Sequence, residues 1–559
     1  MKKNIYLLPL AAALLFVQGC GQRDASSVSP AIGRDAEIEA KVEKVLKEMD
    51  LTEKVGQMVQ LTSSTVTAPG GVTLDPEKLQ KVIGEMKVGS ILNTFGDVAQ
   101  SHELTAQLVG EIQKKSMEEI GIPCIYGLDM IHGASYLNDG TFFPQEINLA
   151  ATFNREYARA MGEAMAYETR AAMVPWVFSP VMDLGRNPVW PRQWESYGED
   201  PYLNAEMAVA ETKALQGEDP NHIDDKHVAV SIKHFMAYGV PVSGKDRTPA
   251  IVAGNDLREK FFRPFKDCLE AGALTLMVNS ASINGIPTHA NKELLTGWVK
   301  DGLDWDGLIV TDWADINNLY ERDHVAKDRK EALAMGINAG IDMIMEPNDP
   351  DCCLELKEVV ESGLIPMSRI DDAVRRVLRL KFRLGLFDNP TWDVSGYDKF
   401  GCKEFQDASY AAAVESEVLL KNEGNILPLE YGRKILVTGP NANSMRALNG
   451  GWSYTWQGDA DRFAGDFNTI YEALAQKFGE KNVIFEPGVV YDETDRWATG
   501  AWQKEYAPQT AKAVAAASKV DVIVACVGEN SYCETPGNID DLNLSANQKE
   551  LVKALSKTG

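Results

Sequence analysis

The chain has 559 residues, 45% hydrophobic and 25% charged, with 81 acidic against 56 basic side chains and a formal charge of −25. That composition excludes a disordered, collagen-like or multi-span membrane protein. The acidic excess argues against nucleic acid and against polyanionic substrates, so a neutral ligand is the starting expectation.

Lys2 and Lys3 precede an apolar run from Ile5 to Val17. The run is too short to span ~30 Å of hydrocarbon as a helix but suits a signal-peptide core. It ends at Val17-Gln18-Gly19-Cys20, which resembles a bacterial lipobox with Gln18 in place of the usual small residue. Residues 1–20 are therefore read as a lipoprotein-type signal and 21–34 as a polar tether, giving an exported, periplasmic chain that meets the membrane only through a lipid on Cys20. A plain secretory signal is the alternative. The other seven cysteines form no CxxC pair and are read mostly as buried thiols, because a chain this large needs no disulfides.

Ile38, Val42, Val45, Leu46 and Met49 recur at helical spacing. Short β-branched runs then alternate with helical stretches: Val88–Leu92, Cys124–Gly127, Trp176–Phe178, Val228–Ile232, Leu274–Val278, Gly307–Val310 and Ile341–Met345. Their near-continuous hydrophobicity is that of parallel strands buried on both faces. The spacing predicts an α/β chain with an N-terminal (β/α)8 TIM-type barrel over 35–390; a doubly wound open sheet is the alternative. Gly and Pro punctuation after the helix Ile370–Phe382 marks a linker at 391–409. An α/β sandwich domain is expected over 410–559, with strands at 434–439, 483–486 and 522–527. A last helix from about Ala546 should lead into another strand, so this domain is expected to be C-terminally incomplete.

The chemistry is narrowed by elimination. There is no HExxH, Walker A, GxGxxG or GxSxG, and none of the seven histidines pair at i, i+4. No metal and no cofactor is expected. What remains is carboxylate chemistry. A barrel gathers its strand C-termini on one face, so Asp129, His132, Asp183, Arg192, Lys233, His234 and Asp312 should converge there. Taken alone, Asp312 at the end of Gly307–Val310 is more often an N-cap or a structural ion pair.

Longer words surround these positions: Leu51-Thr52-Glu53-Lys54-Val55-Gly56-Gln57, Tyr126-Gly127-Leu128-Asp129-Met130-Ile131-His132-Gly133, and Glu195-Ser196-Tyr197-Gly198-Glu199-Asp200-Pro201. Ile232-Lys233-His234-Phe235, Val310-Thr311-Asp312-Trp313 and Leu420-Lys421-Asn422 follow. With these the sequence resembles glycoside hydrolase family 3. Gly450–Gly458 and Val527–Gly537 are similar to its two-domain exo-acting β-glucosidases and β-glucan glucohydrolases. The resemblance implies a retaining exo-β-glucosidase acting on oligosaccharides of β-glucan or xyloglucan type, with no cofactor. It makes Asp312 the nucleophile and Glu534, from the second domain, the general acid/base. Asp129, Arg192, Lys233 and His234 then hold the terminal glucose, with Met277 near that sugar, while Trp313 and Trp456 clamp the next unit.

A retaining pair needs one ionised and one protonated carboxyl ~5–5.5 Å apart. Arg and Lys suit hydroxyl rims through charge-assisted hydrogen bonds, and indoles suit the C–H face. Rival assignments are Glu529 for the acid, His132 as a structural histidine, Trp452 as core or site, and structural ion pairs for Glu195 and Glu199. The chain departs from plant-type members at Ser280, where they carry Tyr, at Asn318, where they carry Arg, and at Pro191, where they carry Gly. Alternatives are a β-xylosidase of the same family and an inactive glycan-binding lipoprotein. The N-acetyl-β-glucosaminidase branch is disfavoured, because no Asp-Ser-His follows Lys233-His234.

Overall fold

The computed structural model describes residues 29–495, 498 and 500–558. The signal and Cys20 lie outside them, as does most of the tether. Among the described residues no helix is long and apolar enough to cross a membrane.

Eight parallel strands form the first sheet: β1 Val59–Thr62, β2 Ser90–Leu92, β3 Ile125–Leu128, β4 Trp176–Val177, β5 Ala229–Phe235, β6 Thr275–Val278, β7 Leu308–Val310 and β8 Ile344–Met345. They neighbour one another in chain order, β8 returns to pair with β1, and a parallel bridge from Val310 to Met343 closes the ring. The sheet is thus a barrel, not a doubly wound open sheet. β1 is the strand that the apolar runs do not reveal. Its Val-Gln-Leu-Thr sequence places Gln60 inside the barrel, where the amide donates to Ser90 Oγ at 2.8 Å.

The Leu51–Gln57 motif is a structural device at the opposite end of the barrel. Asp50 and Glu53 cap each other reciprocally at the start of this helix. A Cβ on Gly56 would lie 2.3 Å from the Lys87 carbonyl oxygen, so only glycine fits. Gln57 accepts from the buried Lys381 ammonium at 2.5 Å.

After the barrel, residues 391–402 stay pinned to it. Trp392 stacks 4.0 Å from the Arg170 guanidinium carbon and donates to the Arg170 carbonyl at 2.9 Å. The helix Lys403–Ser416 then lies on the helix Arg155–Ala171, with Ala412 in the barrel's core cluster. Past Ser416 the chain enters a second, three-stranded parallel sheet. Its centre is β9 Ile435–Thr438, between β10 Val483–Phe485 and β11 Val522–Ala525. Alternation along β9 sends Leu436 to one apolar cluster, with Ala513 and Leu551, and Val437 to the other, with Ala475 and Phe478. This is an α/β sandwich. The seven described cysteines are free thiols; Cys402 and Cys526 are half-buried and the rest buried.

Candidate active site

A cavity of about 620 Å³ opens at the C-terminal mouth of the barrel, against the second domain. Asp129, Arg192, Lys233, His234, Met277, Asp312, Trp313, Trp456 and Glu534 all line it.

Lys233 and His234 are neighbours on β5, and a regular strand would send them to opposite faces. The pairing of β5 with β6 shifts register between Ile232 and Phe235, and both side chains reach the cavity. Lys233 Nζ sits 2.5 Å from Asp129 Oδ1 and 5.3 Å from the centre of the Trp452 ring. Burial pushes the Asp129 carboxyl up, with the Lys233 cation opposing it. His234 Nδ1 is 2.7 Å from Asp183 Oδ2. Burial, then the charges of Arg192, Lys233 and Arg247, drive this imidazole well below its usual range. Burial drives Asp183 well above its own. Asp183 therefore stands behind His234 as its hydrogen-bond partner.

Arg192 is 1% exposed. Its Nε and Nη2 bind the Glu195 carboxylate at 3.1 and 2.7 Å. Nη1 is left 3.5 Å from Glu534 Oε1, aimed at the cavity. Glu195 is thus a structural partner. Glu199 is exposed, and among the described residues no ion pair reaches it.

Asp312 lies at the end of β7 with its Oδ1 fixed by the Trp313 amide at 2.6 Å. Among the described residues its Oδ2 has no hydrogen-bond partner; the nearest imidazole, His234 Nε2, is 4.0 Å away. Glu534 comes from the loop after β11 and adopts a left-handed φ of 53°. Gln457 clamps that loop, its amide donating to the Cys533 carbonyl and accepting from the Cys533 N–H, both at 3.0 Å. Thr535 donates to Asp246 of the barrel at 3.0 Å. The two second-domain motifs, 450–458 and 527–537, thus fold onto each other to present Glu534. Glu529 is exposed, accepts from Tyr532 at 2.8 Å and does not line the cavity.

His132 donates from Nδ1 to the Phe143 carbonyl at 2.8 Å and meets Ser453 Oγ at 3.0 Å through Nε2. Burial lowers it to about 4. It fastens barrel to second domain rather than facing the cavity. Trp452 is both core and lining: it is 7% exposed, packs on Tyr136 at 5.9 Å and borders the cavity.

Arg247 is the residue that sequence reasoning missed. From the loop after β5 its Nη2 lies 3.1 Å from Glu534 Oε2 and 3.7 Å from Asp312 Oδ1. One nitrogen within those distances of both carboxylates keeps the two oxygens at most about 7 Å apart, a limit that admits the retaining spacing of ~5–5.5 Å and excludes most of the inverting range of ~6.5–9.5 Å. The available signal was a charged pair, Asp246-Arg247, in a loop on the functional face of a barrel. Asn93, Asp97, Tyr136, Met345 and Thr535 also line the cavity without having been singled out. Among the described residues, the ligand atoms of His102, Glu103 and Asp139 lie within 4.8 Å of one another, but none of these residues borders the cavity.

The model described as "Glycosyl hydrolase family 3 N terminal domain" matches residues 50–380, and "Glycosyl hydrolase family 3 C-terminal domain" matches 417–559. The chain is 37% identical over 540 residues to "Lysosomal beta glucosidase" of Dictyostelium discoideum, covering 93% of this chain and 64% of that protein. It is 31% identical over 543 residues to "Periplasmic beta-glucosidase" of Salmonella typhimurium, covering 93% and 66%. It therefore spans just under two thirds of these relatives' length. The solved beta-glucosidase from Listeria innocua in complex with glucose superposes with a TM-score of 0.78 at 28% identity, over 93% of this chain and 68% of that one.

Proposed function

The chain belongs to glycosyl hydrolase family 3, and on that premise we propose that it is a retaining exo-β-glucosidase, removing terminal β-D-glucosyl units from neutral oligosaccharides of β-glucan or xyloglucan type. The observation that carries this reading is the meeting of Asp312 and Glu534 on one guanidinium in a single cavity. In the first step Asp312 Oδ2 attacks the anomeric carbon while Glu534 gives its proton to the departing glycosidic oxygen. In the second, Glu534 takes a proton from water, and the water oxygen displaces Asp312.

The buried donors suit the hydroxyl rim of a terminal sugar: Lys233 and Arg192 as cations, Asp129 as acceptor, and His234 through Nε2. Trp313, 39% exposed, and the half-buried Trp456 suit the C–H face of the next unit at the outer end. Buried donors at one end and indoles at the other favour a chain end over a mid-chain segment.

Export and a lipid on Cys20 belong to the same proposal. They rest on Lys2-Lys3, the apolar run and Gly19-Cys20, and agree with the periplasmic naming of the Salmonella relative. Radiolabelled palmitate should enter the wild type and not Cys20→Ser; equal labelling would refute the anchor.

The activity test is a panel of nitrophenyl β-glucoside, β-xyloside and N-acetyl-β-glucosaminide, with proton NMR of the first-formed sugar. Glucoside hydrolysis releasing the β-anomer is expected. Preference for xyloside would redirect the substrate assignment, an initial α-anomer would refute retention, and silence on every substrate would refute catalysis.

A further inference from the structure

Asp315, one turn past the nucleophile, is fully buried, yet its carboxylate gathers three side chains. Ser280 Oγ donates to Asp315 Oδ1 at 2.7 Å and Asn318 Nδ2 donates to it at 2.5 Å. Arg247 Nη1 donates to Ser280 Oγ at 2.6 Å and lies 3.7 Å from the same Asp315 oxygen. Ser280 and Asn318 are two of the three positions, with Pro191, at which the chain departs from plant-type members, and these two fall in one cluster. With Asn318 and Ser280 beside Asp315, the guanidinium near this carboxylate is that of Arg247.

That guanidinium has a second face. Nη2 hydrogen-bonds Glu534 at 3.1 Å and lies 3.7 Å from Asp312. Asp246, the preceding residue, adds two further ties to the Glu534 loop, accepting from Thr535 at 3.0 Å and, through its amide, donating to Asn538 at 2.8 Å. Lys245 reaches the same loop, hydrogen-bonding the Ile539 carbonyl. Residues 245–247 thus form a continuous strap from the barrel to the acid/base loop of the other domain. A planar fork with fixed donors can hold two carboxylates at a set angle, which a point charge on a flexible stem cannot.

We propose that Arg247 is a positioning residue: anchored on Asp315 and Ser280, it holds Glu534 of the second domain in register with Asp312 of the barrel. The proposal rests on the glycosidase reading for its kinetic consequence but not for its structural one.

Both consequences are measured on the full chain with Arg247→Met and Arg247→Lys. Hydrogen exchange needs no substrate. In Arg247→Met the amides of 528–538 should exchange about tenfold faster while those of β5 and β7 stay unchanged. Unchanged exchange at 528–538 would overturn the proposal, and an increase spread over the barrel strands would reduce Arg247 to a general stabiliser and overturn it too.

The kinetic arm compares kcat/KM for dinitrophenyl and alkyl β-glucosides, because only the poor leaving group needs the acid. Loss in Arg247→Met should be about 10²-fold for the alkyl glucoside and no more than severalfold for the dinitrophenyl one. Arg247→Lys should fall between, since it keeps the charge and loses the fork. Equal losses for both leaving groups would assign Arg247 to Asp312 and overturn its role on Glu534. A wild type inactive on both refutes the glycosidase reading, and the exchange result alone then decides the proposal.

Discussion

In the barrel, cavity residues come off β5 and β7, every residue of which is buried; in the second domain, Glu534 comes from an irregular loop well beyond β11, a strand half-buried at best and ending in exposed Ala525. Asp312 needs little more than the Trp313 amide, because the closed sheet beneath it fixes the backbone. Glu534 has no such floor. It is held by a lattice of side chains: Gln457 on Cys533, the buried Arg446 on the carbonyls of Gly458 and Ser531, and Asp246 and Arg247 reaching across from the barrel. One of the two proposed catalytic carboxyls is placed by packing and the other by hydrogen bonds, so damage should reach them by different routes.

The sharpest test removes each carboxyl in turn. Asp312→Asn should cut kcat/KM by at least about 10⁴-fold for every aryl or alkyl β-glucoside, since no leaving group relieves the need for a nucleophile. Glu534→Gln should cost about 10²–10⁴-fold with an alkyl glucoside and far less with a dinitrophenyl one. Stopped assays on a purified series would check both, and the same leaving-group profile for the two variants would erase the distinction drawn here. The rim offers a milder comparison, because Trp313 belongs to the barrel and Trp456 to the second domain. Truncating either to Ala should raise KM for a β-linked glucose disaccharide by about tenfold, the scale of one aromatic contact. Only Trp456→Ala, close to Gln457, should also lower kcat.

Legibility in the sequence follows the same division. Strands β2 to β8 announce themselves because burial on both faces demands unbroken apolar runs; β1 does not, because Gln60 and Thr62 serve the barrel interior and its C-terminal end. The segment around Tyr410 reads as the start of a new domain, yet Ala412 and Ser409 belong to the barrel's surroundings, the latter donating to the Phe142 carbonyl at 2.5 Å. Composition cannot say which body an amphipathic helix joins. The nine candidate residues, all of which line the cavity, are legible through convergence at strand ends and through family words. Arg247 is not, since its role arises from contacts with 280, 315 and 534, distant in sequence and meeting only once two domains are docked. Asp183 was seen to converge, but its place behind His234 depends on a bulge that no spacing reveals.

The smallest effect concerns docking itself and is set by pH. His132 joins the barrel to Ser453, and burial lowers its imidazole to about 4 from an ordinary 6.5. Above pH ~6.5 neither the folded nor the unfolded state protonates it, and it contributes no pH dependence. Between 6.5 and 4 the unfolded chain takes up a proton that the folded chain refuses, so stability falls as the solution is acidified, by at most about 3 kcal/mol once pH 4 is reached. Protonation of Nε2 would also remove the acceptor that meets Ser453 Oγ, so strain falls on the junction before the barrel. His132→Gln, which can donate to Phe143 without titrating, should flatten the fall in Tm between pH 7 and pH 4.5 by several degrees relative to wild type. Carboxylates common to both proteins cancel in that difference. Parallel Tm curves would mean that acid acts on the two halves alike, and the hydrogen-bonded half of the site would then be no more fragile than the packed one.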